Sequence, residues 1–248
     1  MSSEAAVTAC VLIIGNEILS GRTQDVNLAH IATELNESGV QVREARVIPD
    51  DEAIIVATLN ECREKYDYVL TTGGIGPTHD DITADCIAIA LNRPLYMHPE
   101  LEALLRQREA TAEVMESRLR MARVPQGAQL LRHPRGPAGF RVENVAVLAG
   151  VPGVMREMLK SLLPTLNGAK PVRSRTVTAF VTESQIAAPL TALQQRNADV
   201  DIGSYPFPRD DRYATSLVVR GTDETKLDLV AAELTGLIES LGGEFFTP

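Results

Sequence analysis

Residues 1–160 alternate between short apolar runs and segments whose apolar positions recur at helical spacing. The run Val7 to Ile14 is almost continuously apolar and stops at Gly15, as a parallel strand covered on both faces would. In the following segment Leu28, Ile31 and Leu35 recur at spacings of three and four, which indicates an amphipathic helix. The same criteria predict strands at 7–14, 41–48, 66–72 and 142–148, and helices at 26–38, after Asp50 or Asp51, at 82–91 and at 155–163.

This alternation predicts a parallel sheet with helices packed on both faces and right-handed crossovers. Residues 99–123 are rich in Glu, Leu, Arg and Ala, so they are expected to form one long exposed helix or two shorter ones. Residues 125–140 are expected to be mostly loop. The pattern changes near residues 167–171, and the remainder has the βαββαβ order of a ferredoxin-like unit. We therefore expect an α/β domain over residues 1–168 and a small α+β domain over residues 169–248.

The chain carries 24 Lys and Arg against 33 Asp and Glu, a formal net charge of −9 over 248 residues. Nucleic acid and anionic membranes attract clustered basic residues, so neither is expected as a partner. The three cysteines match no zinc-ligand spacing, and each is expected to be a buried, reduced thiol. The N-terminus lacks a basic signal region and no apolar stretch reaches the roughly 20 residues of a membrane span, so a cytoplasmic protein is expected.

Three glycine-containing turns follow three predicted strands of the first domain. Ligands of an open parallel sheet bind beyond the carboxyl ends of its strands, so the three turns are expected to meet in one crevice. They supply these predicted ligand-binding residues: Gly15, Asn16, Ser20, Gly21 and Asn27 after the first strand; Thr72, Gly73, Gly74, Gly76, Pro77 and Thr78 after the third; and Gly150, Val151 and Pro152 after the last. Small and polar residues such as Ser20 and Asn27 would suit a ligand rim, but they would equally suit a helix cap.

The segment 71–81, with the sequence TTGGIGPTHDD, is the most distinctive of these turns. Adjacent glycines permit positive φ, so successive N–H groups can point at an anion, and the next helix adds its positive end. The segment has neither the GK[ST] of a Walker loop nor the GxGxxG of a dinucleotide fold. Taken alone, it fits a phosphate cradle and a tight turn that simply needs glycine equally well.

Two carboxylates, Asp80 and Asp81, follow this loop and would repel a phosphate unless a cation lay between them. Hard oxygen ligands beside a phosphate are typical of Mg²⁺ and of similar divalent ions such as Mn or Co. The predicted metal ligands are Asp80 and Glu17, the latter after the first strand, and Asp81 is the third candidate catalytic residue. Asp81 could instead cap the following helix, and Glu17 could be a surface residue in a turn. His79, a lone loop histidine, is more simply explained as solvated.

These residues resemble the N-terminal region of the CinA family, the competence- and damage-inducible proteins. The similar segments are 15–21, 71–83 (TTGGIGPTHDDIT), 136–140, 150–152 and 204–206, and they cover nearly the whole chain in order. The resemblance implies the MoaB/Mog molybdopterin-binding fold, a three-layer α/β/α sandwich, for the first domain. It further implies divalent-metal-dependent cleavage of ADP-ribose and a homo-oligomeric protein.

The chain departs from the family pattern at Asn16, where the family often has Asp, and at Ala149, where it often has Pro. Full-length CinA proteins also carry a nicotinamide-mononucleotide deamidase domain, and that activity is expected to be missing here. The sequence favours a metal-dependent nucleotide pyrophosphatase acting on ADP-ribose or a related dinucleotide. Two alternatives remain: a molybdopterin-binding protein of molybdenum-cofactor biosynthesis, whose ligand is a pterin phosphate, and a non-catalytic nucleotide-binding module.

Overall fold

A computed structural model describes residues 6–134 and 136–246. The chain forms two compact units, which divide between Ala169 and Lys170. The first unit contains β1 (Val7–Ile14), α1 (Asn16–Leu19), α2 (Asn27–Glu37), β2 (Val40–Ile48), α3 (Glu52–Lys65), β3 (Tyr68–Thr72), α4 (Thr83–Ala90), β4 (Leu95–Met97), α5 (Pro99–Arg106), α6 (Ala112–Leu119), β5 (Arg123–Pro125), β6 (Gln129–Leu131), β7 (Gly139–Val142), β8 (Val145–Leu148) and α7 (Pro152–Leu162).

The main sheet of the first unit has the strand order β2-β1-β3-β8-β7-β6. The first four strands are parallel, whereas β7 and β6 are antiparallel to their neighbours. The prediction of a purely parallel sheet is therefore wrong at this edge, and residues 142–148 are not one strand. The chain reverses at Glu143, which has a φ of 54°, so Val142 pairs with Val145 across a tight hairpin.

Alternation of side chains along β1 explains why this sheet has helices on both faces, because successive residues point to opposite sides. Ala9, Val11 and Ile13 pack with the apolar residues of α2 and α7. Cys10 and Leu12 pack on the other side with α3, α4 and α5. Each β1 residue from Ala9 to Ile14 is at most 3% exposed. The expected three-layer α/β/α architecture is therefore confirmed.

The region predicted to be one or two helices is two, because α5 ends at Arg106 and α6 begins at Ala112. The helix after β2 begins where the sequence suggested, since the Asp51 carboxylate accepts a hydrogen bond from the Ile54 N–H at 3.0 Å. None of the helices among the described residues is long and apolar enough to cross a membrane.

The second unit contains β9 (Arg173–Phe180), α8 (Glu183–Arg196), β10 (Asp201–Arg209), β11 (Arg212–Gly221), α9 (Glu224–Ser240) and β12 (Glu244–Phe245). Its antiparallel sheet has the order β10-β11-β9-β12, which agrees with the predicted ferredoxin-like α+β unit. Leu217 and Val219 of β11 pack against Leu193 of α8 and Leu234 of α9 to form a separate core.

Candidate functional site

The loops after β1, β3 and β8 lie side by side because these three strands are parallel neighbours in the sheet. The chain passes from β1 outward to β2 and then returns to β3 on the other side of β1. This change of direction leaves a crevice beyond the carboxyl ends of β1 and β3, where open α/β sheets bind ligands. The Gly73 N–H donates to the Leu148 carbonyl at 3.2 Å, which holds the loop after β3 against the end of β8.

Asn27 joins two of these loops directly. Its Nδ2 donates to Thr72 Oγ1 at 2.9 Å and to the Gly150 carbonyl at 2.8 Å. Thr72 Oγ1 in turn donates to the Ala149 carbonyl at 2.9 Å. Asn27 is only 5% exposed, and within the described residues its Oδ1 has no hydrogen-bond donor. Asn27 therefore fixes the spacing between the loops that follow β3 and β8.

Glycine is required at the first two positions of the loop after β3. Gly73 has a φ of 107°, and a Cβ there would lie 2.1 Å from the carbonyl oxygen of Ile14 at the end of β1. Gly74 has a φ of 66°, and its Cβ would lie 2.2 Å from Thr83 Oγ1. Residues with a side chain rarely adopt such φ values and would clash here. The two glycines let the loop pass directly across the neighbouring strand end.

Thr83 closes the loop from the far side. Its hydroxyl donates to the Gly73 carbonyl at 3.0 Å, and its N–H donates to the Gly74 carbonyl at 3.0 Å. By contrast, the N–H groups of Gly74, Ile75 and Gly76 have no hydrogen-bond acceptor among residues 6–134 and 136–246. Successive unpaired N–H groups form a concave anion-binding surface.

Asp81 supports the loop and does not cap α4. Its Oδ2 accepts from the Thr78 N–H at 2.9 Å and from Thr78 Oγ1 at 2.5 Å, whereas Ile82 occupies the cap position with no side-chain cap. The alternative assignment of Asp81 as the helix cap is therefore wrong. The adjacent Asp80 is exposed, and the Thr78 hydroxyl beside it holds the pKa of its carboxyl below the usual range.

Glu17 lies in the first turn of α1, and its carboxylate covers Gly15, where a Cβ would meet it at 2.5 Å. No group of three or more His, Cys, Asp or Glu side chains in the part of the chain that the structure describes could hold a metal ion. Glu17 and Asp80 offer the hard oxygen atoms that divalent cations prefer, but they do not form a preformed cage. A cation here would need further oxygen ligands from a phosphate or water.

The remaining predicted residues lie in or beside the loops that follow β1, β3 and β8. The Asn16 N–H donates to Asp50 at 2.9 Å, and Ser20 Oγ donates to the Glu17 carbonyl at 3.2 Å. Asp25 lies two residues before α2, and its carboxylate accepts from the Leu28 N–H at 3.0 Å. The other predicted residues are Gly21, with a φ of 73°, Val151, which is 64% exposed, Pro152 at the start of α7, and Pro77 in the loop after β3.

Two residues near the loop were missed from the sequence. In the sequence, Thr83 looks like an ordinary first residue of a helix. The structure shows that Thr83 is fully buried and closes the loop. Arg120 donates to the Asp81 carbonyl at 3.4 Å across 39 residues of sequence. No local pattern around Arg120 signals that contact.

A three-layer α/β sandwich with glycine loops at its switch point is the architecture of the molybdopterin-binding domains. Residues 10–168 match the family model described as "Probable molybdopterin binding domain", and the chain belongs to this family. Residues 171–242 match a second model, "FAD synthase, middle domain".

Among solved structures, the chain is similar to the protein CinA of unknown function from Thermoplasma acidophilum. The TM-score is 0.59 at 32% identity over 64% of this chain and 98% of that one, which agrees with the CinA resemblance. A protein of Archaeoglobus fulgidus is 36% identical over 80% of this chain and 85% of its own length. A Caenorhabditis elegans protein named "Probable FAD synthase" is 30% identical over 93% of this chain, which spans 50% of that relative's length.

Proposed function

We propose that this chain is a nucleotide-processing hydrolase that cleaves the diphosphate of ADP-ribose or a related dinucleotide with the help of a divalent cation. The observation that carries the proposal is the row of unpaired N–H groups at Gly74, Ile75 and Gly76, held at the switch point of the sheet. Such a row recognises a phosphate by its oxygens. The similarity to a "Probable FAD synthase" and to the FAD synthase middle domain supports a nucleotide as the carrier of that phosphate.

In this proposal the glycine loop holds the diphosphate, and Asn27 keeps the loops after β3 and β8 at a fixed separation. Glu17 and Asp80 would hold Mg²⁺, Mn²⁺ or Co²⁺ together with phosphate oxygens. A bound divalent ion of this kind polarises the phosphate and lowers the pKa of a bound water. Hydrolysis adds the water oxygen to one phosphorus, and the bridging oxygen leaves with the other phosphate. The products from ADP-ribose are AMP and ribose phosphate.

The exposed position of Asp80 suits this role. An exposed aspartate is charged throughout the neutral range, so the Asp80 carboxylate is able to bind a cation. Asp81 is bound by Thr78, so its part in the proposal is to keep the loop in shape. Proton transfer from the attacking water would then fall to another carboxylate, and the half-buried Glu17 is our candidate.

The decisive experiment is a screen of metal against substrate, with ADP-ribose, FAD and other dinucleotides and with analysis of the products. We expect cleavage only with added metal, and we expect Asp80→Asn to reduce the rate at least tenfold. Asp201→Asn is the matched control, because Asp201 is exposed on β10 in the second unit and should leave the rate unchanged. An unchanged rate in Asp80→Asn would remove Asp80 from the proposal.

A second candidate is a non-catalytic nucleotide-binding module. It is favoured by the lack of three grouped metal-binding side chains among the described residues and by the neutral Asn16. Calorimetry would support this candidate if a nucleotide bound equally well with and without divalent ions and no product formed. Copurification of a pterin without turnover of ADP-ribose would instead favour the molybdopterin-binding alternative.

A further inference from the structure

A small, partly open cavity lies beside the glycine loop. Its walls come from the glycine loop and Asp81, from the start of α4, from Arg120 and Arg123, and from apolar residues that include Met121 and Phe140. Its volume is about 20 Å³, which is room for one group the size of a water molecule. A single oxygen atom of a larger ligand would fill it.

The two arginines of this cavity differ in their partners. Arg123 Nη2 is 2.5 Å from Asp85 Oδ1, so its charge is compensated inside the protein. Arg120 Nε is buried and has no acceptor among the described residues. The Arg120 Nη2 has only the Asp81 carbonyl, at 3.4 Å, which is at the long limit of a hydrogen bond. Arg120 therefore brings an uncompensated donor and a positive charge to the cavity.

The backbone around Arg120 fixes it in this position. Residues Arg120–Ala122 form a single 3-10 turn, and Ala122 within it is fully buried. Val124, which follows in β5, is 1% exposed. Both anchor the turn in the core that packs against α4 and α5. The backbone that carries the Arg120 guanidinium is therefore held in place by buried neighbours.

The loop residues Gly74, Ile75 and Gly76 also line the cavity, and their N–H groups have no acceptor in the described chain. Of the two carboxylates that line the cavity, Asp85 pairs with Arg123, and Asp81 accepts hydrogen bonds from the neutral Thr78. A cavity lined by residues with unpaired N–H groups and by a guanidinium suits an atom that only accepts hydrogen bonds. A phosphate oxygen is such an atom.

We propose that Arg120 is a further ligand-binding residue, whose guanidinium takes one non-bridging oxygen of an organic diphosphate in the cavity beside the glycine loop. The inference rests on the proposed function for its ligand class. Arg120 would add a positively charged side chain to a site that is otherwise built from neutral N–H groups and carboxylates. Arginine suits this role because its planar fork pairs with phosphate oxygens.

The test measures the binding of inorganic pyrophosphate and of ADP-ribose by calorimetry, in the full chain, for Arg120→Met and Arg120→Lys. Arg120→Met keeps the aliphatic stem and removes charge and donors. We expect it to weaken both ligands by about tenfold to a hundredfold, the range of a charge-assisted hydrogen bond. Arg120→Lys restores the charge without the fork, so we expect binding between that of the wild type and Arg120→Met.

The matched control is Arg106→Met, because Arg106 lies on α5, is 52% exposed and pairs only with Glu102 in the described contacts. Its affinity for pyrophosphate should equal that of the wild type. Thermal unfolding without ligand shows whether each variant is folded. If Arg120→Met is unfolded, Arg120→Lys alone carries the comparison.

The outcomes separate the two proposals. If the wild type binds ADP-ribose without cleaving it and Arg120→Met binds weakly, the inference stands and the hydrolase proposal fails. If the wild type cleaves ADP-ribose and both Arg120 variants bind like the wild type, the inference is overturned and the hydrolase proposal stands. If the wild type binds neither pyrophosphate nor ADP-ribose, both are overturned.

Discussion

The link that Asn27 makes between two loops can be broken by a change of one atom, Asn27→Asp. The amide Nδ2 that now donates to Thr72 Oγ1 and to the Gly150 carbonyl becomes an oxygen. Thr72 Oγ1 already donates to the Ala149 carbonyl, so it faces Asn27 with a lone pair. A carboxylate in this place would be buried against two acceptors with no cation among the described neighbours.

The expected loss of stability follows from these contacts. Two hydrogen bonds contribute about 0.5–1.5 kcal/mol each, so Asn27→Ala should lower the free energy of unfolding by about 1–3 kcal/mol. A buried charge left without a partner costs more, about 3–5 kcal/mol. We expect Asn27→Asp to reach that range at pH 7. For a unit of this size the thermal midpoint should fall by roughly 6–20 °C.

The effect depends on pH with a definite sign. Burial against acceptors raises the pKa of the introduced carboxyl in the folded state above its unfolded value of about 3.9. The destabilisation relative to the wild type is therefore complete above the folded pKa. It decreases as the pH falls through that value and is smallest below about 3.9, where both states are protonated.

The assay is urea unfolding of the wild type, Asn27→Asp and Asn27→Ala between pH 4 and pH 8. Asn92→Asp is the control, because Asn92 is exposed and has no side-chain hydrogen bond in the described structure. If Asn27→Asp were as stable as the wild type at pH 7, or if its deficit did not shrink in acid, Asn27 would not join the two loops as described.

Three further predictions concern other parts of the first unit. Burial raises the pKa of the Cys86 thiol to about 12 and that of the other two thiols as well, so we expect no reaction with a thiol reagent in the native protein and three reactive thiols after unfolding. The Tyr66 hydroxyl, with help from Arg46 and Lys65, lowers the pKa of Glu44 to about 2. The stability that the wild type has over Glu44→Gln should therefore be present above about pH 4.5 and disappear as the pH falls toward 2, which acid unfolding of both proteins would reveal. Gly73→Ala should destabilise the protein by about 1–3 kcal/mol and abolish binding of pyrophosphate, because its Cβ would meet a backbone carbonyl at a positive φ. Gly153→Ala should leave stability and binding near wild type, because nothing lies within 4 Å of its Cβ, and equal loss in both variants would contradict the reasoning.

Local rules were enough for much of the fold. The continuous apolar run of β1 predicted a doubly covered strand, and every residue from Ala9 to Ile14 is buried. The helix predicted at 26–38 ends before Gly39, whose φ of 75° is the left-handed conformation that such a helix end favours. Asp51 was one of two candidates to start α3, and its carboxylate does so. In each case the physical cause lies within a few residues of its effect.

The errors occurred where distant or competing interactions decide the structure. Val142 and Val145 flank two polar residues, and the apolar pattern alone joined them into one strand, whereas pairing with β6 and β8 makes a hairpin. Asp81 has a good local reason to cap α4, but the loop offers it two donors from Thr78. The Asn27 contact with Gly150 spans 123 residues. Such contacts depend on the strand order of the sheet, which spacing along the chain does not encode.

The carboxylates around the crevice explain how a chain with a net charge of −9 can present an anion-binding loop. Asp25, Asp50 and Asp81 each accept a hydrogen bond from a backbone N–H, so their charges are directed into the scaffold. Glu17 and Asp80 accept none from the backbone of another described residue. An anionic ligand would therefore meet unpaired N–H groups first and two carboxylates at the rim, and those two can approach a phosphate only through a shared cation. Removal of divalent ions should thus weaken binding of pyrophosphate to the wild type and leave it nearly unaffected in a Glu17→Gln, Asp80→Asn double variant, where the repulsion is gone. Equal sensitivity to metal removal in both proteins would mean that the cation acts elsewhere.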